Sequence, residues 1–174
     1  MEHLVNSGKV EELRDILRNY ADDNHATVNA RRIIAERTKN GPIETTLQLA
    51  NAISPPGMGR GKIHPATLPF QALRIAVNQE IDALVEVIPQ VISKLRPGAK
   101  LCILSFHSIE DRIVKNAFRN AEVVGGVDVI TRKPLIPSDD EINFNVRARS
   151  AKLRVVQKLG PKQMPKRFKQ NKYR

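Results

Sequence analysis

One apolar run near the middle of the chain constrains the fold more than any other feature. Residues 100–106 read Lys-Leu-Cys-Ile-Leu-Ser-Phe and follow a Leu-Arg-Pro-Gly segment at 95–98 that ends a helical pattern. A short apolar run between turn residues predicts a buried strand. A second helical pattern, with Ile109, Ile113 and Phe118, follows directly. Helix, strand and helix in this order predict an α/β fold.

The same α/β pattern extends in both directions. Apolar residues at helical spacing from Phe70 to Ile92 predict one long helix, which Pro89 should kink because its ring lacks a donor N–H and clashes with the preceding turn. Apolar runs at 127–131 and 151–158 predict two further strands able to form a hairpin. The second half of the chain is therefore expected to hold a small sheet.

The first fifty residues have a different pattern. Two amphipathic helices are predicted around Leu13 and Ile33, and Thr45 or Thr46 should cap a third. A run of glycine and proline at 54–61 then predicts a linker. The expected domains are a helical unit at 1–55, a linker at 56–63, an α/β part at 64–158 and a basic tail at 159–174.

Length and composition exclude several classes of protein. A chain of 174 residues suits one domain with a real core. No apolar run is long enough to span a bilayer, and the first residues lack the pattern of a secretion signal, so we expect no membrane and no secretion. The single cysteine, Cys102, lies inside the apolar run and is interpreted as a small buried hydrophobic residue rather than a nucleophile.

Positive charge is concentrated at one end of the chain. The net charge is +11, and residues 145–174 contain eleven Lys and Arg with no Asp or Glu. Such a block favours binding to a polyanion, most simply nucleic acid, although a solvated tail has the same composition. Strand-like alternation would place Arg147 and Arg149 on one face, suited to phosphate, while charges that protect an edge strand would look similar.

Two glycine or proline motifs do not support a cofactor or catalytic loop. The glycine-rich segment 57–61 follows no strand and is not closed by Lys-Ser or Lys-Thr, so it is better explained as linker. Ser-Pro-Pro-Gly at 54–57 is similar to the loop with which many amino methyltransferases hold an exocyclic amine. That loop needs an aromatic residue to stack on the base, and Gly57 stands in its place.

The densest cluster of reactive side chains follows the central apolar run. Ligands gather at the carboxyl ends of strands in open α/β sheets, which makes His107 a candidate hydrogen-bonding or base residue and Glu110 and Arg112 candidates for positioning phosphate or base. In the alternative interpretation, Ser108 and Asp111 cap a helix and Glu110 favours its positive end. No second His or Cys cluster is present, so no metal is expected.

Several strings follow one another in a fixed order along the chain. The strings are His64-Pro65-Ala66-Thr67, Phe70-Gln71-Ala72-Leu73-Arg74-Ile75 with Asn78 and Glu80, Leu95-Arg96-Pro97-Gly98, Ser105-Phe106-His107-Ser108-Ile109-Glu110-Asp111-Arg112-Ile113-Val114-Lys115 and Asn145-Val146-Arg147-Ala148-Arg149-Ser150-Ala151-Lys152-Leu153-Arg154. Together they resemble the ribosomal RNA small-subunit methyltransferase H family. The resemblance runs from about residue 10 to 158 and implies an enzyme that uses S-adenosylmethionine to methylate the N4 amine of a decoding-region cytosine.

The resemblance also assigns parts of the chain. Residues 1–55 correspond to a helical insertion that helps to hold RNA, and 64–158 to the last part of a Rossmann-like sheet that ends in a reversed strand. The family's glycine-rich cofactor loop, ribose-binding acid and Asp-Leu-Gly loop belong to an N-terminal half that is missing here, so no cofactor-binding residue is assigned. Leu68-Pro69 replaces the family's basic residue and Thr, which removes a charge near the RNA side.

By the same resemblance, His107, Glu110 and Arg112 belong to the active-site rim. Arg74 and Asn78, on the neighbouring helix, are expected either to pack there or to position RNA. The residues expected to bind the RNA backbone are Arg147, Arg149, Lys152 and Arg154. The expected partners are small-subunit rRNA or the ribosomal subunit, with a missing N-terminal half or a second copy completing the sheet, in the cytoplasm or the mitochondrial matrix. The alternatives are a non-catalytic RNA-binding remnant, an inactive truncated product and one half of a split enzyme.

Overall fold

A computed structural model describes residues 1–55, 64–161 and 163–165, which form two compact units, Met1–Glu80 and Ile81–Arg174. The predicted linker at 56–63 and most of the predicted basic tail lie outside the described residues. None of the helices within those ranges is long and apolar enough to cross a membrane. The helices are α1 Glu2–Ser7, α2 Val10–Ala21, α3 Ala26–Asn40, α4 Thr46–Ile53, α5 Thr67–Asn78, α6 Glu80–Lys94, α7 Ser108–Val124 and α8 Asp139–Phe144.

The first unit is helical, as predicted. Helix α2 packs against α3 and α5, and the fully buried side chains of Leu13, Leu17, Ile33 and Leu73 lie in their shared core. Each such side chain contributes about 2 kcal/mol through burial. Thr45 caps α4 by accepting a hydrogen bond from the Gln48 N–H at 3.1 Å, which confirms one of the two predicted caps.

The long helix predicted from Phe70 to Ile92 is two helices. The chain turns at Gln79, whose φ of 53° is left-handed, and α6 then continues through Pro89. Because Leu73 packs in the core of the first unit, the division between the units falls at Glu80 and not in the predicted linker. The apolar spacing runs unbroken across this turn, which is why periodicity did not reveal it.

The second unit contains the small sheet, formed by β1 Lys100–Ser105, β2 Val127–Val129 and β3 Lys152–Lys158. The strand order is β1-β3-β2, and β3 is antiparallel to both neighbours. This confirms the predicted α/β class and the reversed final strand. One sheet face is covered by α6 and α7, with a core of Ile88, Ile92, Val114, Phe118, Val127 and Val156.

Among the described residues of the second unit, the opposite face of the sheet is only partly covered. Cys102 is exposed, which corrects the expectation of a buried cysteine: alternation along β1 turns it away from the core that receives Leu101 and Ile103. Leu104 is 53% exposed on the same face, and Leu135, which bridges to β3, is 58% exposed. Within the described residues β1 pairs only with β3, so its other edge is an open sheet edge.

Candidate functional site

The loop after β1 is fixed by a reciprocal pair of contacts. His107 caps α7 by accepting a hydrogen bond at Nδ1 from the Glu110 N–H, at 3.3 Å. The Glu110 carboxylate reaches back and accepts a hydrogen bond from the Phe106 N–H at 2.9 Å. This is the logic of a capping box, but with His107 in place of the predicted Ser108 and Asp111 pair. The cap therefore positions the first two residues of the candidate rim.

The contacts of His107 limit what its imidazole can do. Since Nδ1 is an acceptor, the neutral ring carries its proton on Nε2. Nε2 lies 3.2 Å from Glu110 Oε1, but it has no well-aligned hydrogen-bond partner among the described residues. The side chain is only 12% exposed. In this arrangement His107 can donate a hydrogen bond through Nε2 and holds Glu110 in place.

Glu110 is the ionised member of the rim. The nearby His107 imidazole, aided by the hydrogen bond from the Phe106 N–H, lowers the pKa of the Glu110 carboxyl below its ordinary value, although partial burial opposes the shift. A carboxylate at the carboxyl end of β1 can accept a hydrogen bond from an amine. Arg112, two residues further along α7, is exposed.

Arg154 is internal. Its Nε and Nη2 donate hydrogen bonds to the two carboxylate oxygens of Asp111 at 2.6 and 3.0 Å, and its side chain is 6% exposed. This pair lowers the pKa of Asp111. Lys152 approaches the same carboxylate at 3.8 Å with 35% of its side chain exposed. Arg154 therefore joins β3 to α7, and we do not retain it in the proposed RNA-binding surface.

Arg147 and Arg149 lie in a short 3₁₀ helix, Val146–Ser150, and not in a strand. Asn145 caps this helix by accepting a hydrogen bond from the Arg147 N–H at 3.1 Å. The prediction that strand alternation places both arginines on one face is therefore wrong, although both are exposed. The alternative, in which these charges protect an edge strand, is also wrong, because the strand that follows them, β3, lies in the centre of the sheet.

Arg74 and Asn78 both bind Glu80. The Arg74 guanidinium donates two hydrogen bonds to the Glu80 carboxylate at 2.9 Å each, and the Asn78 amide donates a third at 3.0 Å. These bonds stabilise the left-handed turn at Gln79, since they join the end of α5 to the first residue of α6. The Arg74 side chain is still 52% exposed.

The first unit contains an open hollow of about 750 Å³. This volume lies in the range of small-molecule sites. Its lining is mostly apolar, with Phe70 offering an aromatic ring and His64, Gln71 and Arg74 supplying polar groups. Sequence reasoning did not identify it, since its walls come from α4, α5 and the chain start.

The structure also reveals a charge pair that sequence reasoning missed. Glu122, which is fully buried, accepts hydrogen bonds from Arg132 Nη1 and Nη2 at 2.8 and 2.9 Å and from the Val129 N–H at 3.0 Å. The pair joins α7 to the segment that follows β2. The sequence around Glu122 does not indicate that this residue is buried. Its burial becomes apparent only when the face of α7 that packs against the sheet is known.

The second unit has the sheet end of a Rossmann-like methyltransferase, in which a reversed last strand lies between two strands that run the same way. A match to a known protein family agrees with this class. The chain belongs to the MraW methylase family, whose model matches residues 1–159.

Several curated relatives carry the name ribosomal RNA small subunit methyltransferase H. The protein of Synechococcus elongatus is 44% identical over 161 residues, covering 91% of this chain and 52% of the relative. That of Clostridioides difficile is 40% identical, covering 90% and 56%, and that of Nostoc punctiforme is 43% identical, covering 90% and 51%. The chain thus spans about half the length of the curated relatives it matches.

The family implies S-adenosylmethionine, but the described residues do not fit a site for it. Such a site needs a strand, a glycine turn that lets the backbone approach the ligand, and an acid for the ribose hydroxyls. β1 passes through Phe106 and His107 into α7 without a glycine, and Gly125 and Gly126 precede β2 rather than follow a strand. We therefore assign no cofactor ligand within the described ranges.

Proposed function

We propose that this chain is the RNA-facing, C-terminal part of an enzyme that methylates the N4 amine of a cytosine in small-subunit rRNA with S-adenosylmethionine. The observation that carries the proposal is the family match over residues 1–159, with the reversed final strand in the expected place. The substrate implies a location where small-subunit rRNA is present, either the cytoplasm or the mitochondrial matrix.

The second unit supports this proposal through its unfinished sheet. An open edge on β1 and an uncovered face with Leu104 and Leu135 are the surfaces on which a further strand and helix layer would pack. We propose that a cofactor-binding half occupies them. The length of the relatives, about twice the matched region, argues for this occupant.

The residues of this chain contribute positioning to the reaction. Methyl transfer to an amine needs alignment and exclusion of water more than a covalent nucleophile. In the proposed enzyme Glu110, held ionised by His107, accepts a hydrogen bond from the cytosine amine, and Arg112 contacts the RNA. Arg147, Arg149 and Lys152 bind the RNA backbone, and the hollow beside Phe70 accepts a base by stacking.

Complementation tests the proposal. Residues 1–174 are mixed with a separate polypeptide that carries the N-terminal half of a relative, together with unmodified small ribosomal subunits and labelled S-adenosylmethionine. We expect label in the rRNA, with the product nucleoside identified as N4-methylcytidine by mass spectrometry. Label at another atom or in another RNA would contradict the proposal.

A pair of matched variants tests the docking surface. Leu104→Glu places a charge on the uncovered sheet face, whereas Val123→Glu places the same charge on α7, where the side chain is 59% exposed. Only the first should abolish complementation. A chain that binds RNA but never supports transfer with any N-terminal half would instead favour the non-catalytic alternative, which the basic segment 145–174 also allows.

A further inference from the structure

Helix α7 carries two cations on one face that the proposed function does not use. Lys115 and Arg119 are four residues apart and therefore lie on adjacent turns of the same face. Arg119 is exposed and Lys115 half-buried. Within the described ranges neither side chain has an ion-pair partner. Their charges are thus available to a ligand.

A third cation stands beside them in a fixed position. Arg132 is held by the two oxygens of Glu122, and Glu122 is itself fixed by the Val129 N–H. Nevertheless the Arg132 side chain is 51% exposed. An arginine anchored on one side and exposed on the other loses little conformational entropy when it binds a ligand.

These three cations surround one small hollow of about 10 Å³, and we name the surface around it the α7 basic depression. Phe118, Val129, Thr131 and Arg154 complete its lining. Within the described ranges two of its four cations are paired, Arg132 with Glu122 and Arg154 with Asp111, so the lining carries an excess of positive charge. Lys152, 3.8 Å from Asp111, extends the positive surface towards the start of β3.

We propose that the α7 basic depression binds a phosphodiester of the RNA backbone, at a site apart from Arg147, Arg149 and the basic tail at 159–174. This inference rests on the proposed function and adds a second point of contact to it. Guanidinium groups match phosphate oxygens in a bidentate manner, and a lysine adds a point charge. Because phosphate contacts fix register without reading sequence, the depression would orient the RNA strand across α7.

The test is the salt dependence of RNA binding by the full chain. The probe is an unmodified RNA fragment of the small-subunit decoding region, titrated in a filter assay at several KCl concentrations. Lys115→Gln with Arg119→Gln removes two contacts, so the slope of log affinity against log salt should flatten by about 1.4 for a single strand. Arg132 is left intact because its loss would leave buried Glu122 unpaired.

The matched control removes the same charge elsewhere in the second unit. The control variant carries Lys94→Gln and Lys100→Gln. These residues lie at the end of α6 and the start of β1, and both side chains are exposed. This variant should keep the slope of the unmodified chain, and both variants should keep its thermal unfolding midpoint.

Two results would overturn the inference and leave the proposed function standing. One is RNA binding with the same slope in both variants and in the unmodified chain. The other is efficient competition by poly-glutamate. If poly-glutamate displaces the chain from RNA as well as a non-specific RNA does, at equal concentrations of negative charge, the ligand of the depression would be an acidic protein surface. Absence of RNA binding by the unmodified chain, together with failed complementation, would instead reject the proposed function.

Discussion

Arg154 and Asp111 form a bidentate ion pair between β3 and α7, with Nε to Oδ1 at 2.6 Å and Nη2 to Oδ2 at 3.0 Å. Both groups are nearly withdrawn from water, at 5% and 9% exposure. A residue that the sequence suggests as an RNA ligand thus joins the sheet to the helix that carries His107 and Glu110.

Breaking this pair on one side should be costly. Asp111→Ala leaves the Arg154 guanidinium buried without a counterion, which should lower the free energy of unfolding by about 3–5 kcal/mol. Urea denaturation followed by circular dichroism measures it. The double variant Asp111→Leu with Arg154→Met should lose less than Asp111→Ala, because no charge is left unpaired. A single variant as stable as the unmodified chain would show that the pair does not form.

Stability should also depend on pH through the two acidic residues of α7. The pKa values of Glu110 and Asp111 are lowered from their ordinary values of 4.5 and 3.8. A carboxyl with a lowered folded-state pKa stabilises the fold above its ordinary pKa, and this contribution is lost as pH falls through the lowered value. The unfolding midpoint in urea should therefore fall steeply below about pH 4.5.

The comparison for this pH dependence is Asp111→Asn. The variant no longer titrates at that position, so its stability should fall less between pH 7 and pH 3, from a lower starting value. An equal loss in the variant and the unmodified chain would contradict the assignment of the pH dependence to Asp111.

Two substitutions of His107 separate a cap from a reacting group. His107→Ala removes the acceptor for the Glu110 N–H and should destabilise the fold by about 1 kcal/mol. His107→Asn restores a good capping side chain without an imidazole. In the complemented enzyme, recovery of both stability and methyl transfer by Asn would identify a positioning residue. Recovery of stability with transfer still lost would show that the ring itself acts in the reaction.

The basic end of the chain makes a separate prediction. Deleting residues 160–174 removes six cations, which should flatten the salt slope of RNA binding by up to roughly 4. Filter binding with the same RNA fragment measures it. An unchanged slope would assign the tail to solubility rather than to RNA.

Regular elements with strong apolar patterns were predictable. The amphipathic helices around Leu13 and Ile33, the strand at 100–105 and the reversed strand at 152–158 all appear where periodicity and the family resemblance place them. Each of these helices and strands buries one whole face, so the spacing of its apolar residues follows the face that packs in the core.

The features that the sequence did not reveal depend on contacts and surfaces that apolar periodicity does not record. Arg154 and Asp111 are 43 positions apart, and their pairing became apparent only when β3 proved to be the central strand. The turn at Gln79 interrupts no apolar spacing and is stabilised by side-chain bonds to Glu80. The exposure of Cys102 reflects a sheet face with no covering layer among the described residues. In each case tertiary context overrode a local pattern.

We propose that this chain supplies the RNA-facing part of the enzyme and not the cofactor site. Titration calorimetry of purified, folded residues 1–174 with S-adenosylmethionine tests it most directly. We predict no measurable heat of binding to the chain alone, and binding when the N-terminal half of a relative is added. Micromolar binding by the chain alone, as a monodisperse monomer, would contradict the account.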